Sequence, residues 1–598
     1  MITRFLIAAS VLACSSAQAR EETPQAGSQA AKPAIEWLRS EDAVFAQAKA
    51  EKRFVILDLE AVWCHWCHVM EEMTYANPQV IHDVQAHYVA WRVDQDSRPD
   101  LAQRYGDYGW PATIVFAADG TEIVKKRGYI PPEGFTKLLA AIVEDPSPID
   151  YGDAMDDHAP AVSDSLDDTL RAELRKRDAS LRDSTLGGQL FAQKFLDHDS
   201  LEYTLRLAAD GDAAAHAQAK LTLDKNRALL DPAWGGFYQY STDRDFEHPH
   251  FEKLGPLQGL YLRSYALGYA ALDRDPEYAA VEKSVIGYLD NFLRSPDGAF
   301  YSSQDADLKP GEHSAEYFAM ADNARRALGT PRVDKNIYAS TNGTIIEGLA
   351  TWAEASGDAH ALTEAQVAAR WIIAHRALDA GGFRHGEKDP AGPYLGDTLA
   401  MGRAFLALYR ADADPAWLTR ANAAARYIET TFRRDQGGYI AAVSRGAITG
   451  VPSLEENIAL ARWSNLLAAY SGVSAQTAMA KHAMRWLGSK SVALHNATQP
   501  GLLLIDNELA RPPLHLTVVG AKDDPKSHEL FVALQHLPEW YKRIDWWDRA
   551  AGPLPNPDVQ YPPVKKPAAF VCTDRRCSLP LYDAQALAKF LVDEKQVH

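Results

Sequence analysis

Cys64-His65-Trp66-Cys67-His68 sets two thiols two residues apart and places an imidazole directly after each. Three chemistries fit that composition. C-x-x-C is the dithiol of a thioredoxin-like oxidoreductase, C-x-x-C-H is a c-type haem attachment site, and two Cys with two His could ligate zinc. Redox work needs a thiolate, and a helix N-terminus or a nearby imidazolium lowers a thiol pKa. The spacing lets Cys67 attack a mixed disulfide held on Cys64. Cys64 is therefore read as the nucleophile, Cys67 as the resolving thiol, and His65 and His68 as the residues that tune them. Adjacent Cys-His pairs lay out a tetrahedron poorly, which disfavours zinc. A purely structural disulfide stays open.

The flanking segments favour the redox reading. Phe54 to Leu59 reads as a buried strand that runs straight into the motif, and the motif opens a helical stretch. A strand at that point does not suit the helical surroundings of a c-type haem. Asp58 interrupts the strand six residues before Cys64. A buried carboxylate there would have a raised pKa and could exchange protons with Cys67. Trp110-Pro111 precedes a later strand, and an X-Pro bond there can be cis and lie against the dithiol, so Pro111 joins the expected site. Ser40 caps a helix, Tyr88 to Val93 is a second strand, and Ala112 to Ala118 with Thr121 to Lys125 flank Asp119-Gly120 as a hairpin. Pro132 to Glu144 reads as a closing helix. This order predicts an α/β layer fold over residues 34–146.

The chain has 598 residues, too many for one core. Its formal charge of -18 argues against nucleic acid and anionic membranes as partners. Residues 1–19 read as a secretory signal, with Arg4, an apolar run from Phe5 to Ala13 and a small-x-small cleavage pattern ending at Ala19. Residues 20–33 read as a disordered leader. No later segment is apolar and long enough for a transmembrane helix. The expectation is a periplasmic or secreted protein in an oxidising compartment, with no cofactor and no metal. Cys14 leaves with the signal, and Cys572 and Cys577 are spaced for a local structural disulfide.

Residues 147–163 read as a linker, with four Asp among them. From 164 to 490, long Ala- and Leu-rich helical segments are punctuated by Gly235-Gly236-Phe237, Gly298-Ala299-Phe300, Gly381-Gly382-Phe383 and Gly437-Gly438-Tyr439. Such a repeat fits helical hairpins joined by Gly turns, and a ring of them is an α/α toroid. Residues 491–598 read as a small α/β region with strands at Leu502 to Ile505, Leu516 to Val519 and Ala568 to Cys572, either independent or closing the toroid. Within the toroid, His248, His250 and Glu252 lie in one stretch and Asp305 and Asp307 in another. Paired carboxylates with His are what glycoside or epimerase chemistry uses, and Trp234, Phe237, Tyr238 and Tyr240 could stack on sugar faces.

Trp63-Cys64-His65-Trp66-Cys67-His68-Val69-Met70 resembles the signature of the spermatogenesis-associated thioredoxin-domain family. The resemblance continues in Val93 to Asp100, in Gly109-Trp110-Pro111, in Asp243, in His248-Pro249-His250-Phe251-Glu252-Lys253, in Phe300 to Asp307, and in Phe570-Val571-Cys572 with Cys577 following. It implies a multidomain chain: an N-terminal α/β thioredoxin-like domain, then a mostly-α (α/α)6 toroid similar to sugar epimerases and glycoside hydrolases, with a small α/β C-terminal region. It also adds Asp243 to the toroid residues. The sequence departs from the family's pattern at Leu254 to Gln258, at Ser340 before Asn342-Gly343, and at Leu454 to Asn457 after Pro452-Ser453. The first expectation is an exported thiol-disulfide oxidoreductase whose partners are protein thiols or disulfides, with the toroid recruiting the client or a carbohydrate ligand. The second is a carbohydrate-active toroid with an accessory thioredoxin-like domain, and the third a non-catalytic interaction protein.

Overall fold

The computed structural model describes residues 34–598 except 107–108, 152–162, 445, 574–575 and 598. The signal, the leader and most of the linker lie outside the described residues.

The N-terminal domain runs β1 (Trp37–Leu38), α1 (Glu41–Glu51), β2 (Phe54–Glu60), α2 (His65–Met70), α3 (Pro78–His87), β3 (Tyr88–Asp94), α4 (Pro99–Tyr105), β4 (Ala112–Phe116), β5 (Glu122–Arg127) and α5 (Pro132–Glu144). Its five strands are ordered β1-β3-β2-β4-β5. β2 pairs parallel with β3 and antiparallel with β4. Ser40 starts α1 by accepting from the Ala43 amide, and Asn77 with Pro78 starts α3. One face of the sheet packs on α3 and α5 through Ile56, Val80, Val84, Phe135 and Leu139. The other face packs Val44, Phe45, Leu57 and Trp91 together, and Ile448 from far along the chain joins that core. This is a thioredoxin-like domain.

Six helical hairpins follow as a closed ring. The inner helices are α7 (His198–Ala209), α9 (Gly255–Ala271), α13 (Ala339–Ser356), α15 (Leu395–Asp412), α17 (Leu454–Ser471) and α20 (Pro500–Ala510). Each touches the next, and α20 returns to α7. Outside them lie α6 (Asp168–Leu181), α8 (Ala213–Asn226), α10 (Pro276–Tyr288), α14 (Ala359–Arg376), α16 (Pro415–Thr431) and α18 (Ser474–Leu487). The connections carry α11 (Ala315–Phe318), α12 (Asp322–Leu328) and α19 (Lys490–Ala493), and strands β6 (Tyr240–Ser241), β7 (Pro249–His250), β8 (Lys253–Leu254), β9 (Ser303–Gln304) and β10 (Val333–Asp334). The strand expected at Leu502 to Ile505 is instead the first half of α20. Its four apolar residues are buried because an inner helix is covered on nearly every side.

The Gly-aromatic repeat has a common function in the ring. After α8, α10, α14 and α16 the aromatic is buried, and its backbone is clamped by the side chain three residues into the next inner helix. Gln258 accepts from the Phe237 amide at 2.7 Å, Asn342 from Phe300 at 2.8 Å, Thr398 from Phe383 at 3.0 Å and Asn457 from Tyr439 at 2.8 Å. Close contact between inner helices needs glycine: a Cβ on Gly259 would lie 2.6 Å from the Thr344 carbonyl, and one on Gly343 would lie 2.6 Å from the backbone of Ala400.

The C-terminal region forms a three-stranded sheet, β12-β11-β13, from β11 (Leu514–Val519), β12 (Lys542–Trp547) and β13 (Ala568–Cys572). α21 (Pro525–Gln535) connects the parallel β11 and β12. The region seats on the C-terminal ends of the inner helices: Tyr409 donates to Asp545 at 3.1 Å, Asn465 to Tyr541 at 2.7 Å, and Lys542 pairs with Glu354 at 3.2 Å. Among the described residues, no helix is long and apolar enough to cross a membrane.

Candidate functional site

β2 delivers the chain to Cys64, which is the N-cap of α2, and its sulfur accepts from the Cys67 amide at 3.1 Å. Cys64 and Cys67 stand at disulfide-bonding distance, with Cα atoms 5.3 Å apart. Both residues are buried, in a small apolar cluster with Ala61 and Trp63 against which Trp110 and Leu254 pack. The Trp110–Pro111 bond is cis, and Pro111 immediately precedes β4. Trp66, between the cysteines, is exposed and stacks on Tyr129.

The histidines reach across the domain boundary. His65 Nδ1 donates to Asp307 at 2.9 Å and His68 Nδ1 donates to the same carboxylate at 3.0 Å. His68 Nε2 lies 3.7 Å from Asp305. The Gly311 amide also donates to Asp307 at 2.9 Å, and the Asp307 amide to Asp305 at 2.9 Å. Burial opposes a charged His68, but the bond to Asp307 and the two carboxylate charges outweigh it and hold its pKa above the ordinary value. Burial likewise works against an ionised Asp307, yet the two histidines keep its pKa below the usual range. Asp305 goes the other way, and burial pushes it up to about 7.

A second contact fixes the same interface. Trp63 Nε1 donates to Asp96 at 2.8 Å and the Ser302 hydroxyl donates to it at 3.1 Å. His385 bonds the Asp96 carbonyl through Nε2 at 2.6 Å and Asp397 through Nδ1 at 2.9 Å. Burial disfavours its charge, but Asp397 overrides this and raises His385 to about 9. On the far side, Gln103 meets Ser453 at 2.9 Å and Arg104 donates to the Thr449 carbonyl at 3.2 Å. The thioredoxin-like domain thus sits on the loops that precede α13, α15 and α17.

Asp58 lies in β2 opposite Arg92 of β3, bonded to it at 2.9 Å. Burial raises its pKa and Arg92 opposes the rise. Among the described residues Asp58 accepts a hydrogen bond from Arg92 through Oδ2, and its Oδ1 is buried without a hydrogen-bond partner. The toroid residues divide. Asp305 and Asp307, expected at a toroid ligand site, are engaged by the dithiol-motif histidines. Glu252 is buried, its Oε2 3.8 Å from His250 Nδ1 and without a hydrogen bond, and its charge is felt at Asp305. His250 stacks on Tyr240 at 4.3 Å. Asp243 and His248 stand apart, exposed in the β6–β7 hairpin, where His248 bonds Asp245 at 3.0 Å. Cys572 and Cys577 are bonded to each other at the end of β13, with Cα atoms 4.0 Å apart. His68, Asp305 and Asp307 are close enough together to be considered for a metal, but both oxygens of Asp307 already accept from histidines.

The sequence reading missed a set of charges inside the ring. Eight residues after its first residue, each inner helix carries a charged side chain: Arg206, Arg263, Glu347, Arg403, Arg462 and Glu508. They line a central cavity of about 740 Å³. The available signal was a charge inside an otherwise Ala- and Leu-rich helical face, recurring at one register.

The fold and the paired cysteines define a class: a thioredoxin-like domain with a C-x-x-C disulfide, docked on an α/α toroid. Residues 19–145 match the Thioredox_DsbH family, described as a protein of unknown function, DUF255. The chain is 26% identical over 426 residues to spermatogenesis-associated protein 20 of Mus musculus, covering 62% of this chain and 49% of that protein. The match thus spans about half the length of this relative. Over 121 residues the chain is 31% identical to thiol:disulfide interchange protein DsbD 2 of Pseudomonas aeruginosa, covering 19% of this chain and 21% of that one. A solved structure of cellobiose 2-epimerase from Bacillus thermoamylovorans aligns at a TM-score of 0.41 and 11% identity, covering 54% of this chain and 87% of that one.

Proposed function

We propose that the protein is an exported thiol-disulfide oxidoreductase acting through Cys64 and Cys67. The observation that carries this reading is the position of Cys64 at the N-cap of α2, with the Cys67 amide donating to its sulfur. Backbone N–H groups aimed at sulfur stabilise the thiolate over the thiol. In the reducing direction, the Cys64 thiolate attacks a client disulfide, one client sulfur leaves as thiolate, and a mixed disulfide forms. Cys67, deprotonated, then attacks Cys64 Sγ. The second client sulfur leaves, Cys64 and Cys67 end as a disulfide, and two electrons have passed to the client. The oxidising direction is the reverse.

The toroid's part is to hold the tuning residues. Asp307 keeps the imidazoles of His65 and His68 beside the dithiol motif and favours the protonated form of His68. Positive charge at this place favours the thiolate. Leu254 also packs on the apolar cluster that holds both buried cysteines, so a protein client reaches Cys64 only when the toroid loops give way. The test is differential alkylation of full-length protein across a glutathione redox series. The reading expects a reversible two-electron transition at Cys64 and Cys67. A disulfide that stays closed under all these buffers would leave a structural bond and sink the reading.

A further inference from the structure

Five of the same-register charges inside the toroid, together with Glu202, form one continuous chain among the charged groups that line the cavity. Arg403 pairs with Glu347 at 3.0 Å, Glu347 with Arg263 at 3.4 Å, and Arg263 with Glu202 at 2.7 Å. Glu202 pairs with Arg462, and Arg462 with Glu508 at 2.9 Å. Five of these residues come from five different inner helices at the same register, and Glu202 lies one turn earlier on the sixth. The cavity opens to solvent beside the exposed Phe195, Asn496 and Ala497, near the starts of α7 and α20, at the same end of the ring whose loops before α13, α15 and α17 carry the thioredoxin-like domain. Its other end is closed by Trp540 and Tyr541.

A chain of paired charges is costly to keep inside a protein when apolar packing would serve stability as well. Filling the ring with side chains would have removed the void, yet about 740 Å³ remains, within the size range of small-molecule sites. The chemistry of the lining restricts the ligand. Every arginine on it has a carboxylate partner, including Arg206 with Glu539 at 2.6 Å and Arg410 with Glu354 at 2.9 Å. No uncommitted cation is therefore offered to an anion. Arg263 and Arg403 each donate one hydrogen bond to a carboxylate, which leaves most of their five N–H groups for water or a ligand. The carboxylates likewise keep acceptor sites. Leu257, Leu260, Ile458 and Leu504 lie among these polar groups and present apolar surface. Donors, acceptors and apolar strips in alternation suit a molecule with hydroxyls on its edges and C–H faces.

We propose that the central cavity binds a neutral, polyhydroxylated small molecule of one- to two-sugar size, gripped by the belt of Glu202, Arg263, Glu347, Arg403 and Arg462. This site is separate from the dithiol and does not rest on the redox reading.

The test uses full-length oxidised protein, isothermal titration calorimetry, and the fluorescence of Trp463 and Trp540, which line the cavity. The probes are glucose, mannose and cellobiose, with glucose 6-phosphate as the anionic and glucosamine as the cationic counterpart. Ala407 and Leu257 are partly buried lining residues. Ala407→Phe and Leu257→Phe fill the void from different helices without removing a charge. The proposal expects at least one neutral probe to bind with a Kd of about 1 mM or tighter. It expects the charged counterpart to bind at least about tenfold more weakly, at a cost of about 1.4 kcal/mol. It expects a loss of about tenfold or more in whichever filling variant keeps a cooperative thermal transition, and unchanged binding in Cys64→Ser/Cys67→Ser. No heat or fluorescence change from any neutral probe overturns it. So does tighter binding of a charged probe, or undiminished binding in a folded filling variant. Failure of the redox titration leaves this result untouched.

Discussion

One carboxylate of the toroid, Asp307, accepts hydrogen bonds from both histidines of the Cys motif, His65 at 2.9 Å and His68 at 3.0 Å. The residues are 242 and 239 positions apart in the chain. The dithiol motif of one domain is therefore completed by a loop of the other.

Removing that carboxylate should blunt the thiolate. In reduced Asp307→Asn, loss of the charge that favours protonated His68 should slow alkylation of Cys64 by iodoacetamide at pH 7 roughly tenfold. Asp307→Glu should recover part of the rate. An Asn variant that reacts at the parental rate would show that His65 and His68 do not act through Asp307.

The interface should weaken with alkali. His385 is raised from 6.5 to about 9, so folding binds its proton more tightly than the unfolded chain does. Its contribution is fully present below pH 6.5 and is lost as pH rises through about 9. Asp305, raised to about 7, adds a fall in stability from about its unfolded pKa up to that value. Thermal unfolding of the parent should decline between pH 6.5 and 9, and His385→Gln should flatten that decline. Parallel curves for the two proteins would contradict it.

Asp231 compensates two buried cations, Lys253 at 2.6 Å and Arg325 at 2.7 Å, all three side chains being shielded from solvent. Asp231→Ala leaves both unpaired and should cost about 3–5 kcal/mol in urea unfolding. A loss below about 1 kcal/mol would mean that water or a rearranged carboxylate replaces it.

The Cys572–Cys577 bond closes a short loop at the edge of β13. Cys572→Ser/Cys577→Ser should lower stability by about 2 kcal/mol in denaturant unfolding. The Cys64/Cys67 transition should stay where it was. A shifted transition would tie the two disulfides together.

Local signals gave the thioredoxin-like domain its readable parts. The capping Ser40, the apolar run into Cys64, the Asp119-Gly120 hairpin and the Gly109-Trp110-Pro111 turn each carry their structure within a few residues. β1 did not show, because two residues paired to β3 leave no periodicity. Leu502 to Ile505, inside α20, reads as a strand because it is a short apolar run, and a short run buried on nearly all sides looks the same in helix and strand. The His65–Asp307 and His68–Asp307 bonds were illegible for a different reason. Nothing in either segment records which distant loop will face it. The charged belt was visible only as an oddity, a charge in each Ala- and Leu-rich helix, until the ring put those positions at one level.

Trapping with Cys67→Ser tests the central claim most directly. Without the resolving thiol, a client attacked by Cys64 stays bound as a mixed disulfide. The account predicts a reductant-sensitive adduct on Cys64 in the full-length Cys67→Ser protein, absent from Cys64→Ser/Cys67→Ser and reduced in Asp307→Asn/Cys67→Ser. A free Cys64 thiol with no adduct, alkylated no faster than an ordinary cysteine, would contradict it.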